Sequence, residues 1–212
     1  MGLKISFYSG GKESFYSSML EWPIDIFLVL IYDFPRPSPH LINLHAVIYS
    51  AVLTGKPVYT VKLTKGKEFI QTVNVLKELD ADIIVAGDVF IEDHLKYMEK
   101  LASESGAKLK EPLWSMDARD LLYKEVEYGI KFIITGISEK IPKKWLCKYI
   151  DINNIDNFLS ESIKFNFDPI GEYGEYHTQV VKAPKLSKEL KCKCIKKYNF
   201  DNYLISMLEV LI

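Results

Sequence analysis

Short hydrophobic runs alternate with longer amphipathic stretches along the first half of the chain. Four of the runs are rich in β-branched or aromatic residues and bounded by polar residues or glycine, which predicts buried strands over residues 3–9, 24–32, 56–63 and 82–88. Between them, helical periodicity predicts helices over residues 14–21, 43–54, 67–79 and 92–105. This βαβα alternation predicts an α/β fold with a parallel sheet and helices on both faces.

The pattern changes in the second half of the chain. Residues 107–114 and 131–137 predict a fifth and a sixth strand, and beyond residue 141 come mixed helix, a glycine-containing loop and short alternating strands. We place a boundary near residue 115, giving a domain over 1–115 with the parallel sheet and a smaller α+β domain over 116–212. A chain of 212 residues suits two closely joined lobes that share one cleft.

Charge limits the classes of partner. The chain has 27 Lys and Arg residues against 28 Asp and Glu residues, so it has no global basic field and we expect no direct nucleic-acid partner. The one basic patch, residues 185–198, is interpreted as a solvated strand face, with docking of RNA or an acidic protein as the alternative. No apolar run reaches ~18 residues and the first residues lack a leader pattern, which predicts a soluble cytoplasmic protein with no membrane partner.

Cysteine usage indicates the redox environment. The three cysteines, Cys147, Cys192 and Cys194, include no CxxC pair. This argues for a reducing compartment and against a structural zinc site, and a core of this size needs no disulfide. We therefore predict that Cys192 and Cys194, which fall on one face of a strand, are small buried thiols.

The segment SGGKES, residues 9–14, follows the first predicted strand and opens the first predicted helix. At this edge of a parallel sheet, backbone N–H groups and the helix dipole converge on an anion, and glycines allow close approach. Lys12 would add a point charge, and Ser9 and Ser14 would donate hydrogen bonds. A Walker A loop and a GxGxxG fingerprint are both excluded by the spacing. An ordinary glycine turn with a serine helix cap is the structural alternative.

A second polar loop, GEYGEYHT at residues 171–178, precedes the strand pattern QVVKAPKL. A carboxylate, an imidazole and a hydroxyl this close together could bind an amine or cationic substrate, or move a proton near pH 7. A solvated surface loop is the alternative. The candidate residues in the loop are Glu172, Gly174, Glu175, His177 and Thr178.

In this order along the chain, SGGKES, VAGDV, EPLW, EYGIKFIITGI and GEYGEYHTQVV resemble the diphthine–ammonia ligase family of the PP-loop ATP pyrophosphatases. The resemblance spans residues 9 to about 184. It implies a HUP-type, Rossmann-like ATP-binding domain and a smaller domain whose loop closes over the cleft. It also implies ATP with Mg²⁺, ammonium as nitrogen donor and the diphthine form of elongation factor two as protein substrate. In that chemistry a carboxylate is adenylated, pyrophosphate leaves, and ammonia displaces AMP to give diphthamide.

The resemblance also implies site residues. The ATP loop corresponds to Ser9, Gly10, Gly11, Lys12, Glu13 and Ser14, and the second nucleotide motif to Gly87 and Asp88. Lys12 would stabilise the departing pyrophosphate, while Glu175 and His177 would hold the acceptor or guide ammonia. The substrate contacts would be His40, Asn43, Glu172, Gly174, Glu175, His177 and Thr178. The metal ligands are left unassigned.

Some positions depart from the family pattern. Glu13 stands where the ATP loop has Asp, and the eukaryotic diphthamide enzymes have Gly at Tyr173 and Glu at His177. The motifs therefore support the use of ATP more strongly than they support diphthine as the acceptor. The alternatives are a PP-loop enzyme that modifies a small molecule, a cobalamin-related one included, or tRNA, and a nucleotide-binding protein without turnover. The sequence does not specify the oligomeric state, and a homodimer is one of the alternatives.

Overall fold

The structure, a computed structural model, describes residues 2–34, 37–200 and 202–211. Its first half alternates strands and helices in the predicted order. The strands are β1 (Leu3–Phe7), β2 (Ile26–Ile31), β3 (Val58–Lys62), β4 (Ala81–Val85) and β5 (Lys108–Lys110). The helices are α1 (Lys12–Leu20), α2 (Pro39–Ile42), α3 (Leu44–Val52), α4 (Glu68–Glu78) and α5 (Glu92–Ser105).

These strands form one parallel sheet in the order β3-β2-β1-β4-β5. The direction of chain progression reverses between β1 and β4, and such a switch point leaves a crevice beyond the carboxyl ends of the strands. The turn after β1 carries the SGGKES loop and the turn after β4 carries Gly87 and Asp88. The predicted Rossmann-like parallel sheet is confirmed, and its topology places both predicted nucleotide motifs at the crevice.

Side chains alternate across the parallel sheet, as strand geometry requires. Ile5 and Leu28 pack with α4 and α5 in one apolar cluster on one face. Phe27 and Val29 point to the other face and join a larger cluster with α1, α3 and the second half of the chain. The sheet is therefore covered on both sides, as predicted.

The second half of the chain forms a smaller α+β unit. Its strands are β6 (Lys131–Ser138), β7 (Tyr149–Ile150), β8 (Tyr176–Lys182), β9 (Lys191–Phe200) and β10 (Tyr203–Leu211), and its helices are α6 (Ala118–Glu127) and α7 (Ile155–Phe165). The sheet is antiparallel, with β6 pairing to β7, β8 and β10, and β10 pairing to β9. The division near residue 115 stays a prediction. No helix in the described ranges is long and apolar enough to cross a bilayer.

Strand β8 fastens the second sheet onto the first. The Val180 backbone N–H donates to the Gly10 carbonyl at 2.8 Å, and the Gln179 amide donates to the Ser50 hydroxyl at 3.1 Å. Both contacts lie beside the SGGKES loop, so the two halves of the chain meet at the crevice of the parallel sheet.

The cysteines correct one prediction. Cys147 and Cys194 form a disulfide across 47 positions of sequence, and Cys192 remains a free thiol whose pKa is raised to about 11 by burial. The pairing is tertiary in origin: β9 lies beside β10, and β10 beside β6, which brings Cys194 to the turn before β7. Because disulfides are uncommon in reducing compartments, the cytoplasmic prediction loses the support of the cysteine argument.

We expect Cys194→Ser to lower the free energy of unfolding by about 2–4 kcal/mol, because the disulfide closes a long loop and restricts the unfolded chain. Cys192→Ser, on the same strand, is the matched control and should change the free energy by less than about 1 kcal/mol. Urea denaturation without reductant measures both. Equal losses in the two variants would contradict a Cys147–Cys194 link.

Candidate active site

A cavity of about 440 Å³ opens at the carboxyl ends of β1, β2 and β4 and is closed on its other side by the loop before β8. This volume falls in the range of small-molecule sites, roughly 300–1,000 Å³. Of the residues predicted for the site, those that line the cavity are Ser9, Gly11, Lys12, Glu13, Ser14, His40, Gly87, Asp88, Glu172, Gly174, His177 and Thr178. Gly10, Asn43 and Glu175 lie outside its lining.

The loop between β1 and α1 is tightly folded. Gly10 has φ +79°, and a Cβ there would lie 2.7 Å from Gln179 Oε1 and 3.0 Å from Val47 Cγ2, so only glycine fits without displacement. The Ser14 hydroxyl accepts from the Ser9 backbone N–H at 3.2 Å. Helix α1 begins directly after the loop, which turns its positive end toward the cavity.

Lys12 is fully buried although it lines the cavity. Its ammonium forms an ion pair with Glu13, donates to the Ile170 carbonyl at 3.0 Å, and lies 3.9 Å from Glu125 Oε2. The Tyr176 ring centroid lies 5.2 Å from the same nitrogen. Burial lowers the pKa of Lys12, and the carboxylates around it oppose that shift. An ammonium at this position is held in a low-dielectric environment, where it would interact strongly with an anion.

Glu13, which stands where the resemblance predicts aspartate, turns back onto Lys12. Successive residues on a helix point about 100° apart, so a carboxylate needs reach to contact the preceding side chain. The additional methylene of glutamate supplies that reach. The first-turn position is also favourable for an acid, because it faces the positive end of the helix dipole.

A cluster of carboxylates lies on the other side of the cavity, next to the turn after β4. Glu172 Oε1 accepts from the Val89 backbone N–H at 3.0 Å, which joins the second polar loop to this turn. Asp88 Oδ1 lies 3.1 Å from His94 Nδ1 and this hydrogen bond raises the pKa of His94. Burial, followed by the charge of Asp88, raises the pKa of Glu111 to about 8.

The donor set of this cluster fits a divalent cation. Ligand atoms of Asp88, His94 and Glu172 lie within 4.8 Å of one another. Mg²⁺ prefers carboxylate oxygens and nucleotide phosphates, whereas imidazole suits transition metals. Asp88 and Glu172 would therefore hold Mg²⁺, and His94 would orient the Asp88 carboxylate from outside.

Two histidines meet beside the phosphate loop. His177 Nδ1 lies 3.1 Å from His40 Nε2, and the rings are edge-to-face with centroids 4.9 Å apart. Burial lowers the pKa of His40 to about 4, although a hydrogen bond with the Ser9 backbone opposes the shift. His40 is therefore neutral at pH 7. Thr178, next to His177, accepts from the Lys12 backbone N–H at 3.1 Å, so the second polar loop directly contacts the start of α1.

Two predicted substrate contacts, Asn43 and Glu175, lie outside the cavity lining and stay predictions. Asn43 is buried, and its side chain donates to the Ser206 carbonyl at 2.9 Å and accepts from the Leu208 backbone N–H at 2.7 Å. It joins α2 and α3 to β10. Glu175 is buried outside the cavity, with Oε1 4.0 Å from Lys140 Nζ. Asn43 thus bonds to backbone groups of β10, and Glu175 lies near Lys140 outside the cavity.

The structure adds Glu125 to the site, a residue that sequence reasoning missed. It lies on the buried face of α6 together with Leu121, Leu122 and Val126. The available signal was a carboxylate at an apolar position of helical periodicity, since a charged residue is rarely buried without a partner. Its partner Lys12 lies more than a hundred positions earlier in the chain, and nothing local points to it.

Comparison with known proteins places the chain in a family. A model described as the diphthamide synthase N-terminal domain matches residues 2–109, and one described as the diphthamide synthase C-terminal domain matches residues 117–209. The chain belongs to the diphthamide synthase family. Membership makes it a PP-loop protein of the ATP pyrophosphatase type, and it implies the use of ATP.

Comparisons with curated proteins and with solved structures give no further information about function. No curated protein matches the chain. Among solved structures, a predicted subunit of tRNA methyltransferase from Methanocaldococcus jannaschii is 16% identical and has a TM-score of 0.44. That match covers 88% of this chain and 99% of the other. A likeness of this degree carries no argument about function.

We expect Gly10→Ala to lower the free energy of unfolding by about 2–4 kcal/mol, because it adds a clash to an unfavourable φ. Gly66→Ala is the matched control, because Gly66 also has a positive φ, +80°, and a Cβ there would meet no atom of the described residues within 4 Å. This substitution should therefore cost only the free energy of the unfavourable backbone conformation, about 1 kcal/mol. Urea denaturation at pH 7 measures both. Equal losses would show that the contact of Gly10 with β8 and α3 is unimportant.

The His40 pKa predicts a dependence of stability on pH. The folded pKa, about 4, is below the unfolded value of 6.5, so the unfolded chain binds a proton first and stability falls as pH decreases from 6.5 to 4. His40→Gln should reduce that loss by about 1–3 kcal/mol. Urea denaturation of both proteins at pH 7 and pH 4.5 measures the difference. Identical losses would contradict a depressed pKa at His40.

Proposed function

We propose that the protein catalyses the ATP-dependent amidation of diphthine on elongation factor two to diphthamide, with ammonium as nitrogen donor and AMP and pyrophosphate as products. The observation that carries the proposal is that the buried ammonium of Lys12 and the His40–His177 pair line one cavity. A cation for a phosphate leaving group thus lies in the same cavity as two imidazole side chains. Membership in the diphthamide synthase family supports the acceptor.

The reaction divides into two displacements. A carboxylate oxygen of diphthine attacks the α-phosphorus of ATP, and the bond from that phosphorus to the bridging oxygen of pyrophosphate breaks. The nitrogen of ammonia then attacks the activated acyl carbon, and the acyl–oxygen bond to AMP breaks as the amide forms. Starting from ammonium, the nitrogen loses two protons: one before the attack, when ammonium becomes ammonia, and one as the amide forms.

Each part of the site has a task in this scheme. Lys12 and the N-terminus of α1 stabilise negative charge on pyrophosphate, because donors fixed in a low-dielectric site need no reorganisation. Asp88 and Glu172 would hold Mg²⁺, which neutralises phosphate charge when it is bound. His177, which lies beside His40 in this cavity, would accept a proton released when ammonium becomes the neutral nucleophile. A cytoplasmic location and a homodimer, if formed, are compatible with this proposal.

Lys12→Ala is expected to lower the rate of AMP and pyrophosphate formation by about 10²- to 10³-fold, because a charge at the leaving group is removed. The assay contains ATP, Mg²⁺, ammonium and the diphthine form of elongation factor two. Lys77→Ala, an exposed lysine on α4, is the matched control and should retain the full rate. Formation of ADP and phosphate in place of AMP and pyrophosphate would contradict attack at the α-phosphorus.

The acceptor is tested separately from the nucleotide chemistry. The gene is expressed in a strain that lacks diphthamide amidation, and the mass of the modified histidine on elongation factor two is measured. Conversion of diphthine to the amide, dependent on Lys12, is the expected result. The contrary result is an unchanged mass together with AMP formation in the purified system on another acceptor. It would show that the acceptor is a small molecule and not diphthine.

A further inference from the structure

Glu125 is a buried carboxylate that the proposed reaction does not use. Helix α6 begins after Asp117, whose side chain accepts from the Arg119 backbone N–H at 2.9 Å and so fixes the start of the helix. Two turns later, Glu125 is 0% exposed on the apolar face. Neither of its carboxylate oxygens has a hydrogen-bond partner among the described residues. A carboxylate in this environment is costly unless a positive charge compensates it.

Lys12 is the cation that faces Glu125. Its Nζ lies 3.9 Å from Glu125 Oε2, too far for a hydrogen bond but close enough for a strong charge interaction in a buried site. The other titratable groups that act on Glu125 or on Lys12 come from several elements. They are Glu13 and Tyr16 on α1, Asp168 and Glu172 in the loop before β8, and Tyr176 on β8.

The carboxylates around Lys12 differ in exposure. The Glu13 side chain is 20% exposed and the Glu125 side chain is 0% exposed. Solvent screens the charge of Glu13 more than that of Glu125, so the buried carboxylate retains the stronger long-range effect on the ammonium. Glu125 also approaches from α6, behind the loop, and leaves the cavity side of Lys12 to the nucleotide.

We propose that Glu125 is a positioning residue for Lys12: from behind the phosphate loop its carboxylate keeps the ammonium charged and held at the base of the cavity. The effect on turnover rests on the proposed function, whereas the effect on the charge of Lys12 does not. Glu125 touches neither the nucleotide nor the acceptor in this scheme. It acts through Lys12.

The pKa shifts agree with this geometry. Burial lowers the pKa of Lys12, and the charge of Glu125 is the largest influence in the opposite direction. Burial raises the pKa of Glu125 to about 7, against the charge of Lys12. Above that pH the carboxylate of Glu125 is ionised, and its negative charge stabilises the protonated form of Lys12. Removing the carboxylate therefore lowers the pKa of Lys12 further, and the ammonium loses its proton at a lower pH.

The charge of Lys12 can be measured directly by NMR. The full chain is labelled with ¹³C- and ¹⁵N-lysine, the Lys12 signal is assigned by its absence in Lys12→Arg, and its titration is followed against pH. Glu125→Gln should move the Lys12 midpoint down by about 1–3 pH units. Glu127→Gln, an exposed glutamate on the same helix, is the matched control and should leave the midpoint unchanged. An unchanged midpoint in Glu125→Gln would overturn the proposal.

A second variant of Glu125 makes the test independent of whether Glu125→Gln folds. Glu125→Met has a similar size and leaves no polar group unpaired on the apolar face of α6, and Lys12 keeps Glu13 and the Ile170 carbonyl as partners, so a folded protein is expected even if Glu125→Gln does not fold. Its Lys12 midpoint should move in the same direction. If the midpoint stays at the wild-type value in folded Glu125→Met, Glu125 does not maintain the charge of Lys12.

Turnover gives an independent readout. In the AMP assay, the alkaline limb of the pH profile of kcat should move to lower pH in Glu125→Met and stay in place in Glu127→Gln. A purely structural role of Glu125 would lower the rate at every pH without moving the limb, and this result would overturn the proposal. If the wild-type protein forms no AMP but the Lys12 midpoint moves, the proposed function fails and the positioning inference stands.

Discussion

The burial of a single ammonium group, that of Lys12, constrains the rest of the site. A charge removed from water is costly unless other groups replace the lost hydration. The compensation comes from separate parts of the chain: Glu13 on the same helix, Glu125 on α6 and the carbonyl of Ile170. The last two belong to the second half of the chain, so the cation of the phosphate loop has its full set of partners only when that half has folded against the first.

The same contacts that complete the environment of Lys12 also assemble the cavity. Strand β8 bonds to the Gly10 carbonyl, and Thr178 on that strand accepts from the Lys12 backbone N–H. In this position the polar loop before β8 brings Glu172 to the turn after β4 and His177 to His40. The residues proposed to bind a nucleotide phosphate, hold a cation and move a proton therefore line one cavity, and a change that loosens β8 would affect all of them.

The parallel sheet and the polar turns after β1 and β4 were predictable because their causes are local. A run such as residues 82–88 is apolar, β-branched and bounded by polar residues, and that pattern specifies a buried strand wherever it occurs. The SGGKES loop carries its glycines and lysine within six positions. The short range of these patterns also limits them, since they do not show that Asn43 and Glu175 lie outside the cavity lining or that Asn43 bonds to the backbone of β10.

The sequence by itself determined the strand and helix periods, the glycine-containing loop after β1 and, through its ordered motifs, the family. Only the tertiary structure decided which distant side chains meet: Glu125 with Lys12, His40 with His177, and Cys147 with Cys194. The physical reason is that periodicity and turn chemistry depend on neighbours along the chain. The partner of a buried charge or thiol, in contrast, depends on how whole sheets pack, and residue order does not display that packing.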